Sequence, residues 1–235
     1  LFSTALAIRL LYVIFIYFFY EYITGQPFEF EARDSIGYQN EAVWIVDMFE
    51  SGSIDYYFNK YLKGVSDSGF PLWLSVIYFF SAKSILVARL VNAFVSAWMV
   101  LLIYKISSRN FDEATGRISA ILAMLLPTLI YYCGLHNKET VMVFLLLAFV
   151  ERADYFVRQR TIKTWNLLIV ILLGASLFFF RTVLAAAAWF ALFSSLLFSS
   201  EKLIGNARKS IFIIWFAIAA AVVISGQIRT EVEGY

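Results

Sequence analysis

Five side chains in this sequence have the chemistry to act on a charged substrate, and they fall in three short polar turns. Asp34 lies in the first, His136, Lys138 and Glu139 in the second, and Arg181 in the third. A carboxylate beside several cations is the set that a displacement at a phosphate-linked centre requires. Lysine and arginine hold an anionic leaving group as a point charge or a planar fork. The carboxylate takes the proton of the attacking hydroxyl. Where the leaving group is already a phosphate, positioning and charge stabilisation supply much of the acceleration. His136 is the only histidine, so a His-rich metal site is excluded. Asp34 with Glu29 or Glu31 could hold a divalent cation, but nothing in this chemistry requires a metal or another cofactor.

These turns punctuate a chain that is 61% hydrophobic and only 15% charged, where a soluble domain carries roughly a quarter charged residues. The apolar runs are long and repeated, which predicts a polytopic helical membrane protein. A net charge of +2, spread over many loops, gives no basic stripe for a nucleic-acid partner. Cys133 is the only cysteine, so an intrachain disulfide is excluded. The first apolar run, residues 4–22, is followed by no small-residue cleavage site and reads as a retained span. Arg9 near its start is expected to snorkel to the interface. Tyr17, Phe18, Phe19, Tyr20 and Tyr22 form an aromatic belt at its far end.

Residues 21–70 make the longest polar segment, read as a first outer loop. Within it Tyr38, Ala42, Ile45, Val46 and Phe49 recur at helical spacing, with Gln39, Asn40, Glu41, Asp47 and Glu50 opposite. That pattern predicts an amphipathic helix lying on the membrane surface, ended by Ser51-Gly52-Ser53. Residues 70–81 are apolar but short of the roughly 20 needed to cross. Pro71 suits a helix start, and a half-inserted, re-entrant helix is expected. Further spans are expected over residues 84–106, 117–132, 140–157, 164–180, 182–199 and 210–225, with a kink at Pro127. The expected fold is therefore all-α, a bundle of about seven transmembrane spans with a surface helix and a re-entrant helix. The chain, residues 1–235, reads as one transmembrane domain, the N-terminal part of a longer protein.

Three basic clusters set the orientation: Lys105, Arg109 and Arg117; Arg152, Arg158, Arg160 and Lys163; and Lys202, Arg208 and Lys209. They share one face only if residues 70–81 do not cross. That face is cytoplasmic by the positive-inside rule, leaving the long acidic loop, the 135–139 turn and Arg181 on the outer one.

The order of motifs then resembles a known architecture. An apolar span is followed by Asp34-Ser35-Ile36-Gly37-Tyr38-Gln39-Asn40-Glu41-Ala42 and then by Gly69-Phe70-Pro71-Leu72-Trp73. Ala88-Arg89-Leu90-Val91-Asn92-Ala93 comes next, then Tyr131-Tyr132-Cys133-Gly134-Leu135-His136-Asn137-Lys138-Glu139, and finally Phe178-Phe179-Phe180-Arg181. This resembles the N-terminal transmembrane module of GT-C fold glycosyltransferases, in the branch of protein mannosyltransferases and aminoarabinose transferases. The resemblance implies a polyprenyl-phosphate sugar donor and a saccharide, lipid or protein acceptor. It implies a site facing outward from a bacterial inner (plasma) membrane. It makes Asp34 the base or acceptor-positioning group, and Lys138, Arg181, His136 and Arg89 the residues meeting the donor phosphate, with Tyr38 and Glu139 in support. The turn after the Pro127 span reads His-Asn-Lys-Glu, where better-known relatives have an Arg-x-x-x-Asp pattern.

Each residue also has a structural reading. Asp34 can cap the surface helix. Lys138 and Glu139 can be an interfacial anchor pair at a helix N-terminus that Asn137 caps. His136 fits a satisfied interface histidine better than a ligand. Arg181 can snorkel to headgroups, Arg89 can pair helices, and Tyr38 fits the aromatic belt. Glu151-Arg152-Ala153-Asp154 reads as a structural ion-pair cluster, and the alanines of residues 185–188 as a close helix approach. Two other functions share the substrate chemistry. A carrier or flippase would show discontinuous spans and internal symmetry. A polysaccharide polymerase or ligase would carry its main cationic loop late in the chain.

Overall fold

The computed structural model describes residues 1–53, 55, 57, 66–159, 163–198 and 210, and the regular structure among them is entirely helical. In chain order the helices are α1 (Phe2–Thr24), α2 (Arg33–Glu50), α3 (Gly69–Ser81), α4 (Ile85–Asn110) and α5 (Glu113–Leu125). They continue as α6 (Pro127–Gly134), α7 (Glu139–Arg158), α8 (Thr164–Phe180) and α9 (Thr182–Phe198). The span expected over residues 210–225 lies outside the described residues, apart from Ser210.

Among the described residues two helices, α1 and α4, are long and apolar enough to cross a membrane. The pair α5 and α6 makes a third if it is taken as one span bent by 47°. The described residues thus give two or three full-length spans, where about seven were expected over the whole chain. Helices α8 and α9 are apolar but have 17 residues each. Helix α7 has 20, but carries Glu139, Glu151, Arg152, Asp154 and Arg158, so its apolar stretch is short.

The 26-residue α4 is the axis of the bundle. Ala97 and Val100 on one of its faces pack with Ala5 of α1 and with Ala120 and Ala123 of α5. Ala88, near its start, joins a second core with Ala42 and Val46 of α2, Phe70, Leu74 and Tyr78 of α3, Val141 of α7 and Phe180 of α8. A third core ties α7 to α8 and α9 through Phe149, Leu177 and Ala188. Helix α3 lies alongside α2 and runs the same way: Tyr38 meets Phe70 near both starts, Phe79 packs edge-on against Phe49 near both ends, and Lys83 just past the end of α3 pairs with Asp47. At 13 residues α3 is one of the shorter apolar helices, and the pair packs at one end of α4 against Ala88. The amphipathic reading of α2 is visible in its burial, with Ala42, Ile45 and Val46 enclosed, although Phe49 is exposed.

The two ends of the 26-residue α4 lie about 39 Å apart at 1.5 Å per residue and gather different elements. At the Arg109 end, Arg109 reaches across to α7, with Nη2 2.6 Å from Glu151 Oε1 and Nη1 3.3 Å from Asp154. Arg158 bonds Asp154 at 2.8 Å, and Arg152 bonds Glu151 at 3.2 Å. The expected ion-pair cluster is therefore present, and it joins two helices rather than serving one.

Arg9 is a correction. It does not snorkel: its side chain is fully buried between α1, α4 and α5. Pro127 has no N–H, so the carbonyl of Ala123 lacks its helical donor. The chain turns extended at Leu126 (ψ 115°), so Met124 lies at the same break. Arg9 supplies the missing donors, with Nη2 to Ala123 O and Nη1 to Met124 O, both at 3.3 Å. Its Nε donates to Ser96 Oγ at 2.8 Å, and Ser96 in turn reaches Leu129 O at 3.3 Å. A guanidinium with five N–H groups is suited to such a gap, where lipid offers no alternative partner.

Candidate functional site

At the other end of α4 the polar turns meet. Ser35, in the first turn of α2 and fully buried, places its hydroxyl 2.8 Å from the side-chain amide of Asn137, 102 residues away. It also donates to Glu29 Oε1. This contact fastens the start of α2 to the turn between α6 and α7, so Asp34 and Lys138, the next residues along, come to the same end. Close packing allows it. A Cβ at Gly134 would lie 2.6 Å from the Tyr12 ring, and one at Gly69 would lie 2.7 Å from Phe180.

Arg89, one turn into α4, is fully buried. Nη2 donates to Pro27 O, the nearest carboxylate oxygen is Glu29 Oε2 at 4.0 Å, and the rings of Tyr17 and Phe28 flank the guanidinium at 5.9 Å each. Nε and Nη1 have no partner, and neither does Glu29 Oε2. Asn92, one turn further along the same face, is equally buried and leaves both amide atoms unpaired.

His136 is also fully buried, against the expectation of an interface position. Its ring stacks on Tyr78 at an interplanar angle of 11° and meets the edges of Phe28 and Phe70. Nε2 lies 3.0 Å from the Tyr78 hydroxyl, which itself donates to Gln39 Oε1, and Nδ1 has no partner. Burial, and secondly the charge of Arg89, press the imidazole down to about 3, so it is neutral at physiological pH.

The remaining candidates lie nearer the surface. Asp34 is exposed in the first turn of α2. The residue in the cap position is Ala32, and no side-chain cap bond is made there. Tyr38, one turn on, lies under Lys138, whose Nζ is 5.9 Å from the ring centre. Lys138 is paired with Asp67. Burial pulls its ammonium down, but the bonds to Asp67 and Tyr38 outweigh this and the net shift is upward. Glu139 occupies the first turn of α7 with Oε2 unpaired. Arg181 is exposed in the tight junction of α8 and α9, its side chain bonded to no described residue. Phe180 before it packs into the core shared with α2 and α3, which puts Arg181 at this same end.

The structure thus joins Arg89 with His136 in the interior, and Tyr38 with Lys138 nearer the surface beside Asp34. Arg181 lies at the same end, with its side chain bonded to neither group. Asn92, Ser35, Asn137, Asp67, Tyr78 and Gln39 were missed as site residues, and Glu29 was considered only as a metal partner. The spacing of Arg89 and Asn92, two polar residues three apart in an apolar helix, was the one available signal. Among the described residues no three His, Cys, Asp or Glu side chains gather as a metal site. No family model, curated protein or solved structure matches the chain.

Proposed function

We propose that this chain is the transmembrane module of a GT-C-type glycosyltransferase, transferring a sugar from a polyprenyl-phosphate donor to an acceptor at the outward face of a bacterial plasma membrane. The observation that carries the reading is the contact of Ser35 with Asn137. It brings an exposed carboxylate, Asp34, and a cation, Lys138, to one end from opposite parts of the chain. In this reading α1, α4, the bent pair α5 and α6 and the shorter α7 to α9 make six spans, and the seventh, expected over residues 210–225, falls outside the described residues. The parallel pair of α2 and α3 lies at the interface.

Asp34 takes the proton of the acceptor hydroxyl as that oxygen attacks the anomeric carbon from the face opposite the phosphate. The bond from that carbon to the phosphate oxygen breaks, the lipid phosphate leaves, and configuration inverts. Lys138 and Arg181 stabilise the charge that develops on the leaving phosphate. Asp34 is exposed, so the solvent receives its proton.

The test is transfer by the full-length protein in lipid nanodiscs, with undecaprenyl-phosphate hexose as donor, native membrane lipid and saccharide as acceptors, and released undecaprenyl phosphate as the readout. Asp34→Asn should fold and bind donor, but lose about 100-fold or more in rate. A folded Asp34→Asn protein with wild-type turnover would overturn the assignment.

A further inference from the structure

The interior cluster behind Asp34 and Lys138 is unusual in what it leaves unpaired. Arg89 Nε and Nη1, both amide atoms of Asn92, His136 Nδ1 and Glu29 Oε2 are buried without a hydrogen-bond partner. Native proteins pair more than about nine in ten such groups, and an unpaired buried polar atom is strongly unfavourable. These six atoms come from α4, the turn before α7 and the strap formed by residues 25–32. They call for a polar occupant.

The chemistry of the set selects the occupant. Arg89 and Asn92 Nδ2 are donors, while Glu29 Oε2 and Asn92 Oδ1 are acceptors. The charges of Arg89 and Glu29 balance, and His136 is neutral. A phosphate, which only accepts, would leave the acceptors unpaired and would face the Glu29 carboxylate. A hydrocarbon would satisfy none of them. A hydroxylated ring suits both kinds, because each hydroxyl donates once and accepts twice. The aromatic rings of Phe28, Phe70 and Tyr78 enclose His136 and make the surroundings of the cluster apolar.

We infer that Arg89, Asn92, His136 and Glu29 form a recognition subsite for the hydroxyls of a neutral sugar ring, separate from the phosphate clamp at Lys138. This rests on the transferase reading and moves Arg89 and His136 from the leaving phosphate to the sugar. The strap over the cluster is held by Arg89 to Pro27 O and by Ser35 to Glu29. It includes Glu31 at a left-handed φ of 58°. The sugar enters by displacing this strap, whose bonds the ligand replaces.

The experiment compares two lipids on the full-length protein in nanodiscs, undecaprenyl phosphate and undecaprenyl phosphate glucose, with Kd read by native mass spectrometry. The glucose-bearing lipid should bind at least 10-fold tighter. Asn92→Leu and, as a second substitution, Asn92→Ala should abolish that difference and leave the Kd of the sugarless lipid unchanged. On the wild-type protein, donors lacking the 2-, 3-, 4- or 6-hydroxyl should include at least one that loses the 10-fold gain, a result that does not depend on any variant folding. If the sugarless lipid binds but the sugar adds nothing, or if both Asn92 variants keep the full gain, the subsite is refuted and the transferase reading survives. If neither lipid binds, the transferase reading fails and the subsite falls with it.

Discussion

Among the described residues two arginines are completely buried, and the fold treats them in opposite ways. Arg9 sits at the bend between α5 and α6, where its guanidinium bonds three backbone carbonyls and a serine hydroxyl. Arg89 sits beneath the strap of residues 25–32, where it makes one hydrogen bond and leaves two nitrogens unpaired. Both meet the same physical demand, that a charge in an apolar interior be surrounded by acceptors. Only Arg9 meets it within the folded chain. Its partners belong to a helix break that would otherwise be orphaned, so the charge is consumed by the architecture. Arg89 keeps two nitrogens without a hydrogen-bond partner, the feature on which the proposed sugar subsite rests. The contrast separates a cation that makes the fold from one that the fold presents.

The largest expected effect tests the first half of that contrast. Arg9→Met should lower the unfolding free energy by about 2–4 kcal/mol, since it orphans the carbonyls of Ala123 and Met124 together with Ser96 Oγ, against some relief from removing a buried charge. Reversible unfolding in mixed detergent micelles measures this. Wild-type stability in Arg9→Met would erase the distinction between the two arginines.

His136 sharpens the second half through pH. Its folded-state value of about 3 lies below the ordinary 6.5, so the unfolded chain binds the proton more readily. The stability from keeping it neutral is fully present above pH 6.5 and is lost as pH falls toward 3. Between pH 6.5 and 5 the loss is about 2 kcal/mol. His136→Phe should remove that slope. An unchanged slope would place the pH-sensitive group elsewhere and the imidazole outside the sealed cluster.

Arg89→Met should cost about 1 kcal/mol or less in the same unfolding assay, because it forfeits one hydrogen bond and a loose 4.0 Å pairing. The double change Arg89→Met with Glu29→Gln should be neutral, as is common when a buried pair is removed together. A loss as large as that of Arg9→Met would show Arg89 to be as much a part of the architecture as Arg9.

The sequence carried some of this and not the rest, for identifiable reasons. The order of apolar runs, the bend at Pro127, the short apolar helix over residues 70–81 and the charge cluster around Glu151 are local or compositional features, and they could be read directly. Arg9 was misjudged because the snorkelling rule uses only the distance of a residue from the end of its own helix. Its true partners lie 114 and 115 residues away, at a break in another element. Asp34, Lys138 and His136 were recognisable by type. The side chains that bring them together, Ser35, Asn137 and Glu29, are ordinary polar residues that acquire meaning only once two turns meet. The burial of His136 had no local signal at all, since the rings that enclose it come from the strap and from α3.

Lys138 and Asp67 give the smallest effects and the most discriminating pair. Asp67 is half exposed, so the pair contributes under about 1 kcal/mol to stability, and Lys138→Met should barely shift unfolding. If Lys138 is the phosphate clamp, the same change should weaken undecaprenyl phosphate binding about 10-fold, or 1.4 kcal/mol. Asp67 competes with that phosphate for the ammonium. Asp67→Asn should therefore tighten binding of the sugarless lipid a few-fold, while weakening the hold of Lys138 over Tyr38. An interfacial anchor would show neither change, and a purely structural ion pair would show both variants losing stability together. Opposite signs from the two partners of one ion pair are the signature that sets a presented cation apart from one the fold has already used.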